Sequence, residues 1–367
     1  MPTEAEIIEA LRPVEDPELH RSIVDLGMVE RVLIDGSTVA ITVALTVAGC
    51  PLRNEIQQRV TTAVLAVPGA ESVRLDFTVM TDEQRARVTE QVRGPRGENS
   101  ERENPFTSNR TRVIAVSSGK GGVGKSSITT NLAVALAQQG HSVAAIDADV
   151  WGFSMPRMLG VDRPPTVIDD MLVPPSAHGV KLISMGFFAR EDQPVVWRGP
   201  MLHKAISQFL TDVHWDEPDF LVIDMPPGTG DIAISMAQFL PRAEVVVVTT
   251  PQPAAQKVAQ RAAYMAQKVN LAVVGVIENM SWFTCDHGQR YELFGAGGGA
   301  ELAATLDVPL LGQVPLVPQL REGSDDGRPI VAVEPDAEAS RAIADIARKL
   351  AVDLAPKRIY RPELKII

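Results

Sequence analysis

The stretch Val113-Ile-Ala-Val-Ser-Ser-Gly-Lys-Gly-Gly-Val-Gly-Lys-Ser-Ser127 constrains the fold more than any other part of the chain. Four apolar residues lead into G-x-x-x-x-G-K-[ST], and a helical stretch, Ser126–Gln139, follows and stops at Gly140. Strand, glycine-rich loop and helix in that order make a phosphate-binding loop. Gly119, Gly121, Gly122 and Gly124 let the backbone of Gly119–Ser127, Val123 included, turn its N–H groups inward around the β-phosphate. The start of the helix adds its positive end. Lys125 is expected to reach the β- and γ-phosphates, and the hydroxyl of Ser126 to ligate Mg²⁺. The ligand is therefore ATP with Mg²⁺.

The rest of this half repeats the theme. Short apolar runs occur at Val143–Ile146, Phe220–Ile223, Val245–Val248, Val273–Ile277 and Val308–Leu311, most of them separated by helical stretches. Continuous apolar runs suit central parallel strands covered on both faces. The spacing predicts an α/β, doubly wound, mainly parallel sheet over 112–355. Phe220-Leu-Val-Ile-Asp224 is a strand ending in a carboxylate, so Asp224 is expected to hold Mg²⁺ through water. Pro226-Pro227-Gly228-Thr229-Gly230 follows it, a stiff-then-flexible segment suited to sensing the γ-phosphate.

Ahead of this domain, residues 1–80 read as a small α+β unit. Glu4–Leu11 is a short helix, Met28–Ile34 and Thr38–Thr46 are strands around Asp35-Gly36, Leu52–Val67 is a helix, and Glu71–Val79 is a strand. Residues 81–111 contain few large apolar groups and many charges, and are expected to be a flexible linker. Residues 356–367 read as an extended tail.

Charge and cysteine usage narrow the function. A net charge of −11 gives no bulk attraction for nucleic acid or anionic lipid. The first thirty residues lack a basic start leading into an apolar run, and no window is apolar enough to span a bilayer. Two cysteines, Cys50 and Cys285, make no disulfide framework, so a reducing cytoplasmic setting is expected.

Lys120 is a second lysine inside the loop, and a plain phosphate loop does not need it. Gly-Lys-Gly-Gly-Val-Gly-Lys-Ser resembles the deviant Walker A of the MinD/ParA group of ATPases. The resemblance implies that Lys120 crosses a homodimer interface to the partner's ATP. It also implies that Asp149, in Ile146-Asp147-Ala-Asp149, orients the attacking water, that Asp147 supports the metal region, and that Asn279 and the segment Pro315–Pro318 lie near the base. Catalysis would then rest on Lys120, Lys125 and Asp149.

Further segments narrow the resemblance to one branch. They are Asp147-Ala-Asp-Val-Trp-Gly-Phe-Ser-Met-Pro156, Trp197-Arg-Gly-Pro-Met201, Asp224–Asp231, Glu278-Asn-Met-Ser281 and Phe294-Gly-Ala-Gly-Gly298. Together they resemble the Mrp/ApbC family of iron–sulfur cluster carrier ATPases. Asp16-Pro-Glu18, Asp25-Leu-Gly27 and Thr46-Val-Ala-Gly-Cys50-Pro51 are similar to the small iron–sulfur-assembly domain often fused ahead of them. The family implies binding an iron–sulfur cluster, receiving it from assembly proteins and delivering it to apoproteins.

The chain departs from that family at one point. Members commonly carry C-x-x-C shortly after E-N-M-S, whereas this chain reads Ser281-Trp-Phe-Thr-Cys285-Asp-His-Gly288. A dimer offers two thiolates, short of a Cys₄ set. His287 could supply the missing ligands, a small external thiol could, zinc could take the same two Cys and two His, or the cluster site has decayed. Cys50, before a helix start, is a second candidate thiol or a buried small residue. Other functions stay open: a positioning ATPase on membrane or nucleoid, a metabolic P-loop enzyme, and an assembly switch that holds no metal. The tail, with Pro356 and Pro362, reads poorly as an amphipathic membrane helix.

Overall fold

The structure is a computed structural model that describes residues 1–50, 52–93, 103–107, 110–150, 152–188, 199–228 and 230–354. Pro51, residues 94–102, Trp197, Arg198, Thr229 and the expected tail at 356–367 lie outside the described residues. Two compact units are formed. One comprises Met1–Glu103, Pro164–Pro175 and Thr211–Trp215; the other comprises Asn104–Arg163, Ser176–Leu210 and Asp216–Ile367.

In the first unit, α1 (Glu4–Leu11) and α2 (Arg53–Leu65) cover a three-stranded sheet ordered β1 (Val29–Asp35), β2 (Thr38–Leu45), β3 (Ser72–Val79). Thr3 and Glu6 close a capping box that starts α1. β1 and β2 form the antiparallel hairpin that the Asp35-Gly36 turn predicts, and β3 returns parallel to β2 after α2. Alternate residues of β2, namely Val39, Ile41 and Val43, are buried with Ile7, Leu11, Ile56, Val60 and Val64.

Residues 82–93 correct the expected linker, because they form α3 (Asp82–Arg93). The composition hid two local signals. Thr81 and Gln84 exchange hydrogen bonds as a capping box, and Val88 with Thr89 supplies a buried stripe. Thr89 Oγ1 also donates to the carbonyl of Ile168 at 3.4 Å. The chain returns to this unit with the antiparallel pair β6 (Thr166–Ile168) and β7 (Met171–Val173), counting strands along the whole chain. Ile168, Met171 and Val173 join the same buried cluster.

The second unit is a three-layer α/β fold. Its sheet runs β15 (Leu310–Val314), β12 (Ala272–Asn279), β11 (Glu244–Thr249), β4 (Arg112–Ser118), β10 (Phe220–Asp224), β5 (Val143–Asp147), β9 (Val180–Ser184), β8 (Ser176–Ala177). All neighbours pair in parallel except β8 with β9 at the edge. Each of Phe220–Asp224 and Val143–Asp147 is buried throughout, as strands covered on both faces require.

Helix α4 (Lys125–Gln138) packs on one face with α12 (Glu338–Arg348), burying Ile128, Leu132 and Leu136 at roughly 1.5–3 kcal/mol each. Helices α8 (Pro253–Lys268) and α9 (Gly298–Leu306) contact β11, β12 and β15. The remaining helices are α5 (Met155–Met158), α6 (Gly199–Thr211), α7 (Gly230–Phe239), α10 (Pro318–Asp326) and α11 (Ile330–Val333). A small hairpin, β13 (Phe283–Thr284) with β14 (Arg290–Tyr291), follows β12. The strand order reverses around β4, so the carboxyl ends of β4, β10, β5 and β12 gather where such sheets bind ligands. No helix among the described residues is long and apolar enough to cross a membrane.

Candidate functional site

The loop between β4 and α4 is built on two unavoidable glycines. A Cβ on Gly119 would run into the backbone of Val258 and Ala259 on α8. Gly124 precedes α4 at φ 79°, and a Cβ there would collide with the side-chain amide of Asn279. Both positions exclude a side chain for reasons of space, and Gly124 for its left-handed backbone as well.

The charged groups meet at one point. Lys125 is buried, with Nζ 2.6 Å from Asp224 Oδ2 and 4.0 Å from Asp149 Oδ2. Ser126 Oγ donates to Asp224 Oδ2 at 2.6 Å, and Thr129 Oγ1 donates to Asp224 Oδ1 at 2.8 Å. This oxygen set of hydroxyls and a carboxylate at a strand end fits a hard divalent ion such as Mg²⁺. Thr129 is a member that sequence reasoning missed; its signal was its position one helical turn beyond Lys125. Lys120 is partly buried and its Nζ lies 3.4 Å from Gln252 Oε1 of its own chain.

Asp147, expected to support the metal region, accepts several hydrogen bonds from its own chain. Its Oδ2 accepts from the amides of Ser154 and Met155 at 3.0 and 3.2 Å and from Ser184 Oγ at 3.0 Å. Oδ1 accepts from the amide of Asp149 at 3.3 Å. Asp147 thus holds both ends of the loop that carries Asp149, whose own Oδ1 accepts from Gly152 N–H at 3.0 Å. Asp147 and Asp224 are in register on adjacent strands and neither has any exposure.

Burial first, and then the charge of Asp224, raise the Asp147 pKa from 3.8 to about 7. The folded chain holds this proton where the unfolded chain has lost it, so it binds more protons between pH 4 and 7. This contribution to stability is present at low pH and disappears as pH rises from 3.8 through about 7. In nucleotide-free protein, Asp147→Asn is expected to narrow the difference in Tm between pH 5 and pH 8. An unchanged difference would assign the titration to another group.

Asn279 sits at the end of β12, 2% exposed. Its Nδ2 donates to the carbonyl of Val123 at 2.9 Å, and its Oδ1 is buried with no partner among the described residues. The base-side segment expected at Pro315–Pro318 runs from the end of β15 into α10, whose Ser324 Oγ lies 3.5 Å from Ser127 Oγ on α4. Glu278, beside Asn279, points to the other side. It accepts from Gly299 N–H at 2.5 Å and from Gln313 Nε2 at 2.6 Å.

Cys285 lies in the β13–β14 hairpin. Its amide donates to Gln289 O at 3.0 Å, and Gly288 N–H donates to Cys285 O at 2.8 Å, closing a turn with Asp286 and His287 at its centre. Cys285 is partly exposed and His287 exposed, whereas Cys50 is buried in the first unit. No three His, Cys, Asp or Glu side chains assemble into a metal-holding group among the described residues. The phosphate loop, Asp149, Asp224 and Asn279 are therefore brought together, while Cys285 stands apart on its hairpin.

Known proteins share both units. Residues 109–351 match the family described as NUBPL iron-transfer P-loop NTPase, and residues 4–76 match the family described as iron–sulfur cluster assembly protein. The iron–sulfur cluster carrier protein of Mycobacterium tuberculosis is 49% identical over 94% of this chain and 92% of its own length. That of Synechocystis is 43% identical over 94% and 96%. Among solved structures, a nucleotide-binding protein from Archaeoglobus fulgidus in complex with ADP is 37% identical, with TM-score 0.53, covering 62% of this chain and 89% of that one. The Pyrococcus furiosus cell division ATPase MinD is 26% identical, with TM-score 0.51, covering 66% and 99%.

Proposed function

The chain belongs to the family of NUBPL-type iron-transfer P-loop NTPases, and from that premise we propose that it is an ATP-hydrolysing carrier that binds iron–sulfur clusters and hands them to apoproteins. One observation carries the reading. A single stretch, residues 279–291, begins at the phosphate loop with Asn279 and ends in the hairpin that presents the second unit's one cysteine.

Hydrolysis uses the groups around Lys125. Lys125 lies over the transferred phosphoryl oxygens and neutralises charge that develops there. Ser126 and Asp224 would hold Mg²⁺, which when bound supplies further neutralisation of the phosphates; Asp147 serves that region by fixing the Asp149 loop. Asp149 orients the water that adds to the γ-phosphorus as the bond to the bridging oxygen breaks. Asn279 serves the base side of the site through its brace on the Val123 carbonyl.

Lys120 makes this a deviant Walker A loop that acts across a homodimer. Its amino group lies 3.4 Å from Gln252 Oε1, and turning away from that contact would carry it to the partner's ATP. Lys120→Ala should keep nucleotide binding within one subunit but lose the ATP-dependent change in dimer geometry. Small-angle scattering with a slowly hydrolysed ATP analogue reads this directly. An identical response in variant and wild type would refute the sandwich.

The cluster is cargo. Cys285 from each subunit supplies two thiolates near the dimer axis, and His287 from each turn completes the set. Two Cys and two His favour a two-iron centre with a higher reduction potential than an all-Cys site. Upstream assembly proteins load it and cytoplasmic apoproteins receive it, with Cys50 serving transfer rather than storage. The test is anaerobic reconstitution with iron and sulfide, gel filtration, and metal and sulfide assays, followed by transfer to a cluster-free acceptor with and without ATP·Mg²⁺. Protein that retains neither iron nor sulfide would overturn the carrier reading.

A further inference from the structure

Residues 279–285 run from the phosphate loop to the Cys285 turn, and every part of that path is tied to its surroundings. At one end the Asn279 amide is clamped on the Val123 carbonyl at 2.9 Å, in space left open by the missing side chain of Gly124. Glu278, fully buried, fixes the strand end on the opposite side through Gly299 and Gln313. Met280 then takes a left-handed backbone, φ 57°, which a long side chain rarely adopts. Ser281 N–H donates to Val314 O at 3.0 Å, and Leu316 N–H donates to Trp282 O at 2.7 Å. The hairpin beyond is pinned at its base by Glu338, which accepts from Arg290 at 2.6 Å and from Thr284 at 3.3 Å.

We propose that Asn279 is a positioning residue that couples occupancy of the phosphate loop to the Cys285 hairpin, with Met280 as the bend through which the coupling passes. The proposal rests on the nucleotide site described above and does not require that a cluster be bound. When a nucleotide orders the loop, the Val123 carbonyl is held in place, and with it the Asn279 amide. Glu278 keeps the strand end from moving as a whole, so the effect is directed past Met280 into Ser281–Tyr291. A bound nucleotide therefore restrains the turn that carries Cys285.

The test uses the full-length, cluster-free chain. Alkylation of Cys285 by iodoacetamide is followed by mass spectrometry, with buried Cys50 as internal reference, and hydrogen exchange is followed over 281–291. Saturating ADP·Mg²⁺ should slow Cys285 alkylation at least about fivefold, the low end of common site-to-site couplings. Asn279→Ala, at nucleotide concentrations shown by titration to saturate that variant, should abolish the slowing. Met280→Gly keeps the Asn279 side chain; because Met280 Cε lies close to Gly124, this variant too is compared at ADP·Mg²⁺ concentrations shown by titration to saturate it, and it should lose most of the slowing. No slowing in the wild type, or wild-type slowing in both variants, overturns the proposal. Absence of iron and sulfide after reconstitution would instead overturn the carrier reading and leave this result untouched.

Discussion

Lys125→Ala should lower ATP turnover by about 100-fold or more, measured as phosphate release. The amino group lies 2.6 Å from Asp224 and 4.0 Å from Asp149, and in the proposed mechanism it neutralises the transferred phosphoryl group. Removing one such preorganised charge commonly costs two to three orders of magnitude in rate. The same change leaves the buried carboxylates Asp224 and Asp149 without their cation, so some loss of stability is expected too. Lys125→Gln keeps the volume and separates the two effects. Circular dichroism should report a folded chain for the variant used. Turnover at the wild-type rate would mean that the phosphate site has been misassigned.

The second large effect is at the hairpin. Cys285→Ser should reduce bound iron, sulfide and visible absorbance after reconstitution to background, while ATP turnover stays within about twofold. The two sites use different side chains, and among the described residues neither Cys285 nor its turn makes a hydrogen bond or ion pair to the Lys125 cluster. His287→Ala should bleach the chromophore partly or shift its spectrum. Cys50→Ser should leave the cluster bound. A chromophore that survives Cys285→Ser but vanishes in Cys50→Ser would move the site to the first unit.

Much of this was legible before any coordinates. The phosphate loop, Asp224 and most central strands follow from short apolar runs and from glycine and lysine at fixed spacing, because those features act locally. What escaped depends on neighbours distant in sequence. Strand β9 contains Lys181 among only five residues and is defined by pairing with β5, so its run was too short to stand out. Helix α3 has one buried apolar side chain, Val88, and owes its cover to β6, some eighty residues later. The spacing placed Asp147 at a strand end, but not its hydrogen bonds to Ser184 and to the start of α5. Asn279 was expected at the base; its clamp on Val123 is visible only when β12 lies beside the loop.

The first unit takes its residues from three separated stretches, the last ending at Trp215. A ribosome adds residues in order, at about 5–20 per second. For several seconds of synthesis, then, residues 1–103 exist without Ile168, Met171 and Val173, which complete their apolar cluster. That nascent segment presents an uncovered oily surface until nearly half of the protein has emerged. A gene fragment ending at the start of β4 would keep that surface for good, and is expected to aggregate or bind a chaperone where the full-length chain does not.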